Sequence, residues 1–451
     1  MEQNGKGKKI AAVAVAIAIA IVFFIAGFAV ARFTRKREIS SFEWAMKTVS
    51  ENYYNDIPSN VFLSGSLKGM ADECLDKYSE YYTAEEYKQM LASNSGKKSG
   101  VGVSFVYLPQ GAYPQDKSGI YIESVLGGSP AYASGLRAGE FISSATCGEI
   151  TTTFKSSADF SDFIDGRAEG EQFTLISDRG QYALAKSAYT ASYCYMATAD
   201  KQWHFSYGNE GRVISETVGG IDCLPHGAAY LRLDQFFGKA AYETAELIEK
   251  FNAENCTSLI LDLRGNGGGY VDVMCDISGI FTGQLQNANK IAMRAVFKDG
   301  HTETASVTNR FAASSQLSAG TKVSVLADNG TASASEALIG VLIDNGVIDY
   351  GDIYISDFGD EYMTFLKNNR SVSAGKNCRT YGKGIMQSTF VNPRTGEALK
   401  LTTAKIYWPK GEVSIHDIGL NPGMGCKTVP ADWDVTFGDE QLEKAVELIY
   451  G

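Results

Sequence analysis

The chain has 451 residues, 44% of them hydrophobic and 21% charged, with 47 Gly and only 9 Pro. That is apolar material for about two to three domains, and it excludes a long disordered chain. The formal net charge of -11 excludes a phosphate-binding surface built on clustered Lys and Arg, so no nucleic-acid partner is expected.

Ile10 to Ala31 runs 22 residues without a charge, enough to cross a bilayer core at about 1.5 Å per residue. Lys6, Lys8 and Lys9 precede it and Arg32, Arg35, Lys36 and Arg37 follow it, so charge does not decide its orientation. Ala29-Val30-Ala31 has the small-x-small form of a signal-peptide cleavage site, but the apolar run exceeds the roughly 7 to 15 residues of such a peptide. The expectation is a short tail (1–9) and an uncleaved transmembrane anchor (10–31), with secretion after signal cleavage as the alternative. Either places the bulk of the chain outside the cytoplasm.

Residues 32–96 read as a helical region ending in a linker. Phe42, Met46, Val49 and Tyr53 fall on one helical stripe. The pattern breaks near Leu75 to Tyr82, and Thr83, followed by Glu85 and Glu86, offers a new N-cap. Ser93 to Gly100, rich in Ser, Gly and Lys, is the expected linker.

Short β runs follow at Val101 to Tyr107 and Ile120 to Ile122. With Gly127-Gly128-Ser129-Pro130-Ala131 and Gly135-Leu136-Arg137-Ala138-Gly139-Glu140, they resemble a PDZ domain over residues 97–185. Gly100-Val101-Gly102-Val103 looks like the loop whose backbone N–H groups capture a peptide's C-terminal carboxylate, an added strand supplying the remaining contacts. Glu140 stands where an aspartate is commoner, and Cys147-Gly148-Glu149 replaces the usual valine-asparagine-glycine end.

From residue 186 strands alternate with helices: Ala229 to Leu233, Ala240 to Phe251, Ser258 to Leu263, Val323 to Ala327 and Asp439 to Tyr450. This alternation implies an α/β core. A Gly-rich turn, Arg264 to Gly269, follows the Ser258 strand, and Asp328-Asn329-Gly330 leads into Thr331-Ala332-Ser333-Ala334-Ser335-Glu336 and an apolar helix. A serine at the mouth of a helix meets unpaired N–H groups and the positive dipole end, which favour a developing oxyanion. Fifty positions on stands Gly382-Lys383-Gly384, and a serine with a lysine base is a known nucleophile pair.

Together, Leu259 to Arg264 with its glycines, Ala332 to Glu336, and Tyr381 to Gln387 resemble the carboxyl-terminal processing (tail-specific) proteases. Tyr407 to Gly411 and Gly419-Leu420-Asn421-Pro422 look like that family's closing strand and turn, and Asp76 to Tyr82 like its segment before the PDZ domain. The resemblance implies a mixed α/β fold, a crotonase-like βα protease core (186–451) carrying an inserted PDZ domain. It implies Ser333 as nucleophile, Lys383 as general base, Gln387 as support for the lysine, backbone N–H groups of Gly268 and Ala334 as oxyanion hole, and Asp344 in the surrounding polar network. The bland readings are that Ser333 and Ser335 merely cap a helix, that Lys383 is a solvated turn residue, that Gly268 belongs to a plain strand-ending turn, and that Asp344 is equally well a C-terminal helix residue. To act as base, Lys383 must be desolvated enough to lose its proton near neutrality.

The implied function is a membrane-anchored serine endopeptidase that acts on proteins with free apolar C-termini, through an acyl-enzyme and without metal or cofactor. About 25 extra residues, 352–376, stand between Asp344 and Lys383 where the family has a shorter run, and at a loop tip they would form a flap. Gly267 replaces a usual proline, and Gly423 a usual aspartate. A catalytically inactive PDZ adaptor is the alternative. A nucleotide-binding reading of Arg264 to Gly269 fails because Asp272 and Asp276 come too early for the ribose-binding acid. Eight scattered cysteines without a C-x-x-C pair exclude a zinc site and leave disulfides or buried thiols open. His416 precedes Asp417 but falls in a segment read as structural, and His204, His226 and His301 lie in no motif. The sequence does not decide the oligomeric state.

Overall fold

A computed structural model describes residues 41–53, 55–109, 117–208, 211–359, 377–431 and 440–451. They group into two units, one ending at Tyr81 and the other spanning Tyr82–Gly451. The expected anchor, residues 10–31, lies outside the described residues, and no described helix is long and apolar enough to cross a membrane.

In the first unit residues 41–52 are helical, and the helix Ser59–Cys74 stops at Leu75, whose backbone is extended. The second unit opens with the helix Ala84–Asn94. Thr83 and Glu86 start it with reciprocal bonds: Thr83 N–H donates to Glu86 Oε2 at 2.9 Å and Glu86 N–H to Thr83 Oγ1 at 3.3 Å.

The segment expected as a linker is instead a strand. Lys97–Gly100 pairs antiparallel with Ser187–Thr190, so the chain enters and leaves the next subdomain through one short two-stranded ribbon. Between these strands lies an antiparallel sheet in the order Val103–Leu108, Gly119–Val125, Phe141–Cys147, Gln172–Ser177, Gln181–Ala185, with Ile150–Thr153 beside Phe141–Cys147. Its core is Ile120, Ile122, Ile142, Phe160, Phe173 and Leu175, with Phe160 carried on the helix Ser157–Asp165.

The remaining chain builds an eight-stranded sheet from Cys194–Ala197 (β1), Lys201–Gly208 (β2), Gly211–Val218 (β3), Ala228–Leu233 (β4), Ser258–Asp262 (β5), Lys322–Ala327 (β6), Ile353–Asp357 (β7) and Lys427–Pro430 (β8). Its order is β3-β2-β1-β4-β5-β6-β7-β8, with β4 to β8 parallel. Every residue of β5 is buried, which explains its unbroken apolar run: a parallel strand covered on both faces has no solvent side to mark with polar residues. Leu259 and Leu261 face the core formed with Ala240–Ala253 (α1), Val271–Thr282 (α2) and Ala334–Asp344 (α3). Ile260 faces Leu442, Val446 and Ile449 of Glu440–Tyr450 (α4) on the other side. A second antiparallel sheet contains Ile385–Val391, Ala398–Tyr407, Ile291–Phe297 and Thr302–Ser306.

The extra segment also departs from expectation. Its first residues form β7, a buried strand between β6 and β8, so they belong to the core and not to a flap. Residues 360–376 lie outside the described residues. Among the described residues no disulfide is formed.

Candidate active site

The parallel strands deliver two turns to one edge of the sheet, where open α/β sheets place their sites. After β6, Asp328 Oδ1 accepts N–H bonds from Gly265 (2.8 Å), Gly330 (2.9 Å) and Thr331 (3.0 Å), clamping this turn to the turn after β5. Thr331 Oγ1 donates to Leu263 O at 2.8 Å. The chain then reaches Ser333, half-buried at the N-cap of α3, with φ 60° and ψ -115°. A side-chain-bearing residue held there costs about 1–3 kcal/mol and persists only where its surroundings over-determine it.

The two serines of the motif separate cleanly. Ser335 is fully buried and its hydroxyl donates to Asn266 O at 2.9 Å. Ser333 is the accessible one, beside the Ala334 N–H, which as the first helical residue has no partner within the helix.

The Gly-rich turn packs directly on this serine. A Cβ at Gly268, where φ is +99°, would come within 2.8 Å of Ala332 O and 2.9 Å of both Ala334 N and Ser333 Cβ. Only glycine fits so close an approach. The Gly268 N–H, however, donates to Asn266 Oδ1 at 2.9 Å. The expected role of Gly268 is therefore corrected: its amide is spent inside its own turn, and the residue acts as the spacer that lets the turn lie against Ser333. Sequence reasoning passed over Asn266. It is fully buried, donates Nδ2 to Leu233 O at 2.8 Å, and accepts the Ala332 N–H on its carbonyl at 2.9 Å.

Lys383 is half-buried in a segment pressed against residues 415–419. A Cβ at Gly382 would meet Gly419 N at 2.9 Å, and one at Gly384 would meet His416 N at 2.7 Å, which accounts for both glycines around the lysine. Tyr381 N–H donates to Thr331 O at 3.0 Å, bringing this segment to the serine turn.

A second overlooked residue, Glu336, lies where the two segments meet. Its fully buried carboxylate receives Ser333 N–H (2.9 Å), Lys383 N–H (2.9 Å), Gly382 N–H (2.8 Å) and Thr380 Oγ1–H (2.6 Å). Burial pushes this carboxyl above its ordinary value, and the donors from Thr380, Gly382, Lys383 and Ser333 oppose that shift. The only sequence signal was the spacing Ser-x-x-Glu, which by itself reads as a helix cap.

The remaining expected residues are placed as follows. Gln387 lies on the strand Ile385–Val391, and its Nε2 donates to Thr402 Oγ1 at 3.0 Å. Asp344 ends α3, ten residues of helix from Ala334 and so about 15 Å along its axis. It accepts the Lys410 N–H at 2.9 Å, so its expected place in the polar network at Ser333 is corrected to a structural one. Val101 O and Gly102 O accept N–H bonds from Ala131 (3.0 Å) and Leu126 (2.9 Å), while Gly100 (φ +136°) turns the chain into the strand that starts at Val103. His416 packs on Gly384, and His204 Nδ1 lies 2.8 Å from Tyr132 Oη. Among the described residues no group of three or more His, Cys, Asp or Glu is arranged to hold a metal ion.

Beneath the site lies a buried charge cluster. Asp262 accepts from Arg264 Nη2 (2.6 Å), Arg232 Nη1 (3.0 Å) and Tyr230 Oη (2.5 Å). Burial alone would raise its carboxyl, but the Arg264 and Arg232 guanidiniums outweigh burial and hold it well below the usual carboxylate range. The ion pairs anchor the Gly-rich turn from below. A strained hydroxyl at a helix N-terminus, with a lysine segment tied to it, is an arrangement suited to acyl transfer.

Residues 227–350 match the family model described as Peptidase family S41. That span holds the Gly-rich turn, Ser333 and Glu336, and ends before Lys383. A "Probable CtpA-like serine protease" of Staphylococcus haemolyticus is 25% identical over 412 residues, covering 90% of this chain and 69% of that protein. A Staphylococcus epidermidis protein of the same description is 24% identical over 425 residues, covering 92% and 77%. Among solved structures, a Bacteroides fragilis protein assigned to the S41 proteases aligns over 88% of this chain and 91% of its own, with 15% identity and a TM-score of 0.53. At that identity the likeness speaks for the fold alone, a mixed α/β fold like that of S41 proteases.

Proposed function

We propose that this chain is a membrane-anchored serine endopeptidase of the S41 type that cleaves proteins at or near their C-terminal tails with Ser333 and Lys383, a reading supported by the match of its residues 227–350. One observation carries the reading: Ser333, strained at the mouth of α3, and Lys383 hang by their backbone N–H groups from the same buried carboxylate.

In this mechanism neutral Lys383 takes the Ser333 hydroxyl proton as Oγ attacks the scissile carbonyl carbon. The Ala334 N–H and the positive end of α3 hold the oxyanion. Collapse breaks the C–N bond, and Lys383 returns the proton to the leaving amine. The acyl-enzyme ester is then cleaved by water, which gives its proton to Lys383 and restores the Ser333 hydroxyl.

The sheet of residues 103–185 supports the proposed PDZ role. Its strand Val103–Leu108 is paired within the sheet on one side only, by Gly119–Val125; on the other edge the Tyr107 N–H donates to Ser157 Oγ at 2.9 Å, and an extended peptide tail would join the rest of that edge. The uncharged run at residues 10–31 supports anchoring with the catalytic part outside the cytoplasm.

The test is incubation of the full chain with an unfolded protein ending in an apolar free carboxylate, beside the same protein with an amidated terminus, and fragment analysis by mass spectrometry. Cleavage by the parent and not by Ser333→Ala, slower on the amidated substrate, is expected. Equal cleavage by Ser333→Ala overturns the nucleophile, and indifference to amidation overturns tail recognition.

A further inference from the structure

We propose that Glu336 is a positioning residue that sets the nucleophile and its base in register by holding the Ser333 and Lys383 backbones on one carboxylate. The proposal rests on the Ser333/Lys383 reading above and says how two residues fifty positions apart are kept at one site.

A helix cap explains only part of the geometry. Capping requires the Glu336 side chain to receive the Ser333 N–H, and it does, at 2.9 Å. Three further donors come from the distant segment: Thr380 Oγ1–H at 2.6 Å and Gly382 N–H at 2.8 Å on Oε1, and Lys383 N–H at 2.9 Å on Oε2. Thr380 is itself anchored, its hydroxyl oxygen accepting the Leu420 N–H at 2.8 Å. The same oxygen, Oε2, therefore carries the N–H groups of both Ser333 and Lys383.

An ionised carboxylate has about four acceptor sites, and four donors fill them here. Glu336 is thus equipped to position and not to exchange protons with substrate. It is also fully buried, so it touches the reaction only through the residues it holds. Its bond to Ser333 helps over-determine the strained turn, and its bonds to residues 380–383 fix the approach of the lysine.

Glutamine tests this sharply, because all but one of the donors are backbone N–H groups. Whichever way the amide is turned, its NH2 faces at least one of them. The measurements on the full chain are thermal unfolding, kcat and KM for peptide cleavage, and the rate of Ser333 modification by a fluorophosphonate across pH. For Glu336→Gln we expect a folded protein with KM within about twofold and kcat lowered about 100-fold, the scale of a 1 Å misplacement. The pH profile of phosphonylation should shift, which loss of a cap alone would not produce. In a Lys383→Ala background the same change should cost less than about threefold, because a residue acting through Lys383 has little left to position.

A folded Glu336→Gln variant with kcat within about threefold of the parent overturns the proposal, as does full multiplication of the two losses in the double variant. If Lys383→Ala alone keeps parental activity, the dyad itself falls and takes the proposal with it. Should Glu336→Gln fail to fold, Thr380→Val decides: kcat should drop about tenfold and be restored by Thr380→Ser, which returns the hydroxyl, and an unchanged kcat overturns the proposal.

Discussion

The parallel half of the large sheet and the antiparallel sheet of residues 103–185 each bury a carboxylate, and they do it differently. Asp262 closes β5 at the centre of a sheet covered on both faces, and two guanidiniums compensate its charge. Glu140, 1% exposed, precedes the strand Phe141–Cys147 and is held by the Arg137 N–H at 3.1 Å and the Ser177 hydroxyl at 2.6 Å. The core invests ion pairs in the turn that backs the candidate nucleophile. The smaller sheet uses neutral hydrogen bonds to close a loop, and joins the core through a two-stranded ribbon and contacts such as Tyr132 with His204. The ion-paired carboxylate thus lies under the turn that packs on Ser333.

Four substitutions probe that contrast, from the largest effect to the smallest. Ser333→Ala should lower peptide cleavage by at least about 10⁴-fold, read by fragment formation, with the unfolding temperature nearly unchanged. Asp262→Asn should destabilise the core by about 3–5 kcal/mol in denaturant unfolding, because the buried Arg264 guanidinium loses its counter-charge, while the half-buried Arg232 keeps its pair with Asp234. The pH dependence has a definite sign. Because the folded Asp262 carboxyl lies below its ordinary value, its contribution is fully present above the ordinary aspartate range, begins to fall as pH drops below that range, and is lost as pH falls on through the depressed folded value. The Asn variant should lack this acid-side slope.

Glu140→Gln should cost less, about 1–3 kcal/mol, since it misplaces a donor but strands no buried charge. Hydrogen exchange should show that loss in residues 119–147 and leave β5 protected; equal loosening of β5 would break the contrast. Tyr132→Phe should be mildest, about 0.5–1.5 kcal/mol, by removing the hydroxyl that meets His204. Cleavage with an unchanged ratio of tailed to amidated substrate in this variant would show that the contact is only cohesive.

Much of the architecture was readable in advance because its signals are local. The Thr83–Glu86 cap and the unbroken apolar run of β5 are each written within a few consecutive residues. The misreadings share a different cause. Lys97–Gly100 looked like a linker because its partner strand lies some ninety positions away, and the start of the extra segment looked like a flap although it slots between β6 and β8. The resemblance places Asp344 in the network at the site, whereas the helix axis carries it away from Ser333 to the C-terminal end of α3, the other reading its position allows.

Local residue pattern alone determined the alternation of strands and helices, the position of a serine at a helix mouth and the glycines that allow close approach, because periodicity and backbone freedom are properties of neighbours. Only the tertiary structure decided that Gly268 spends its amide on Asn266, that Ser335 is buried while Ser333 is accessible, and that Glu336 joins Ser333 to Lys383. Each of those depends on hydrogen bonds whose direction is set by the packing of turns around them, and no short stretch of sequence specifies that direction.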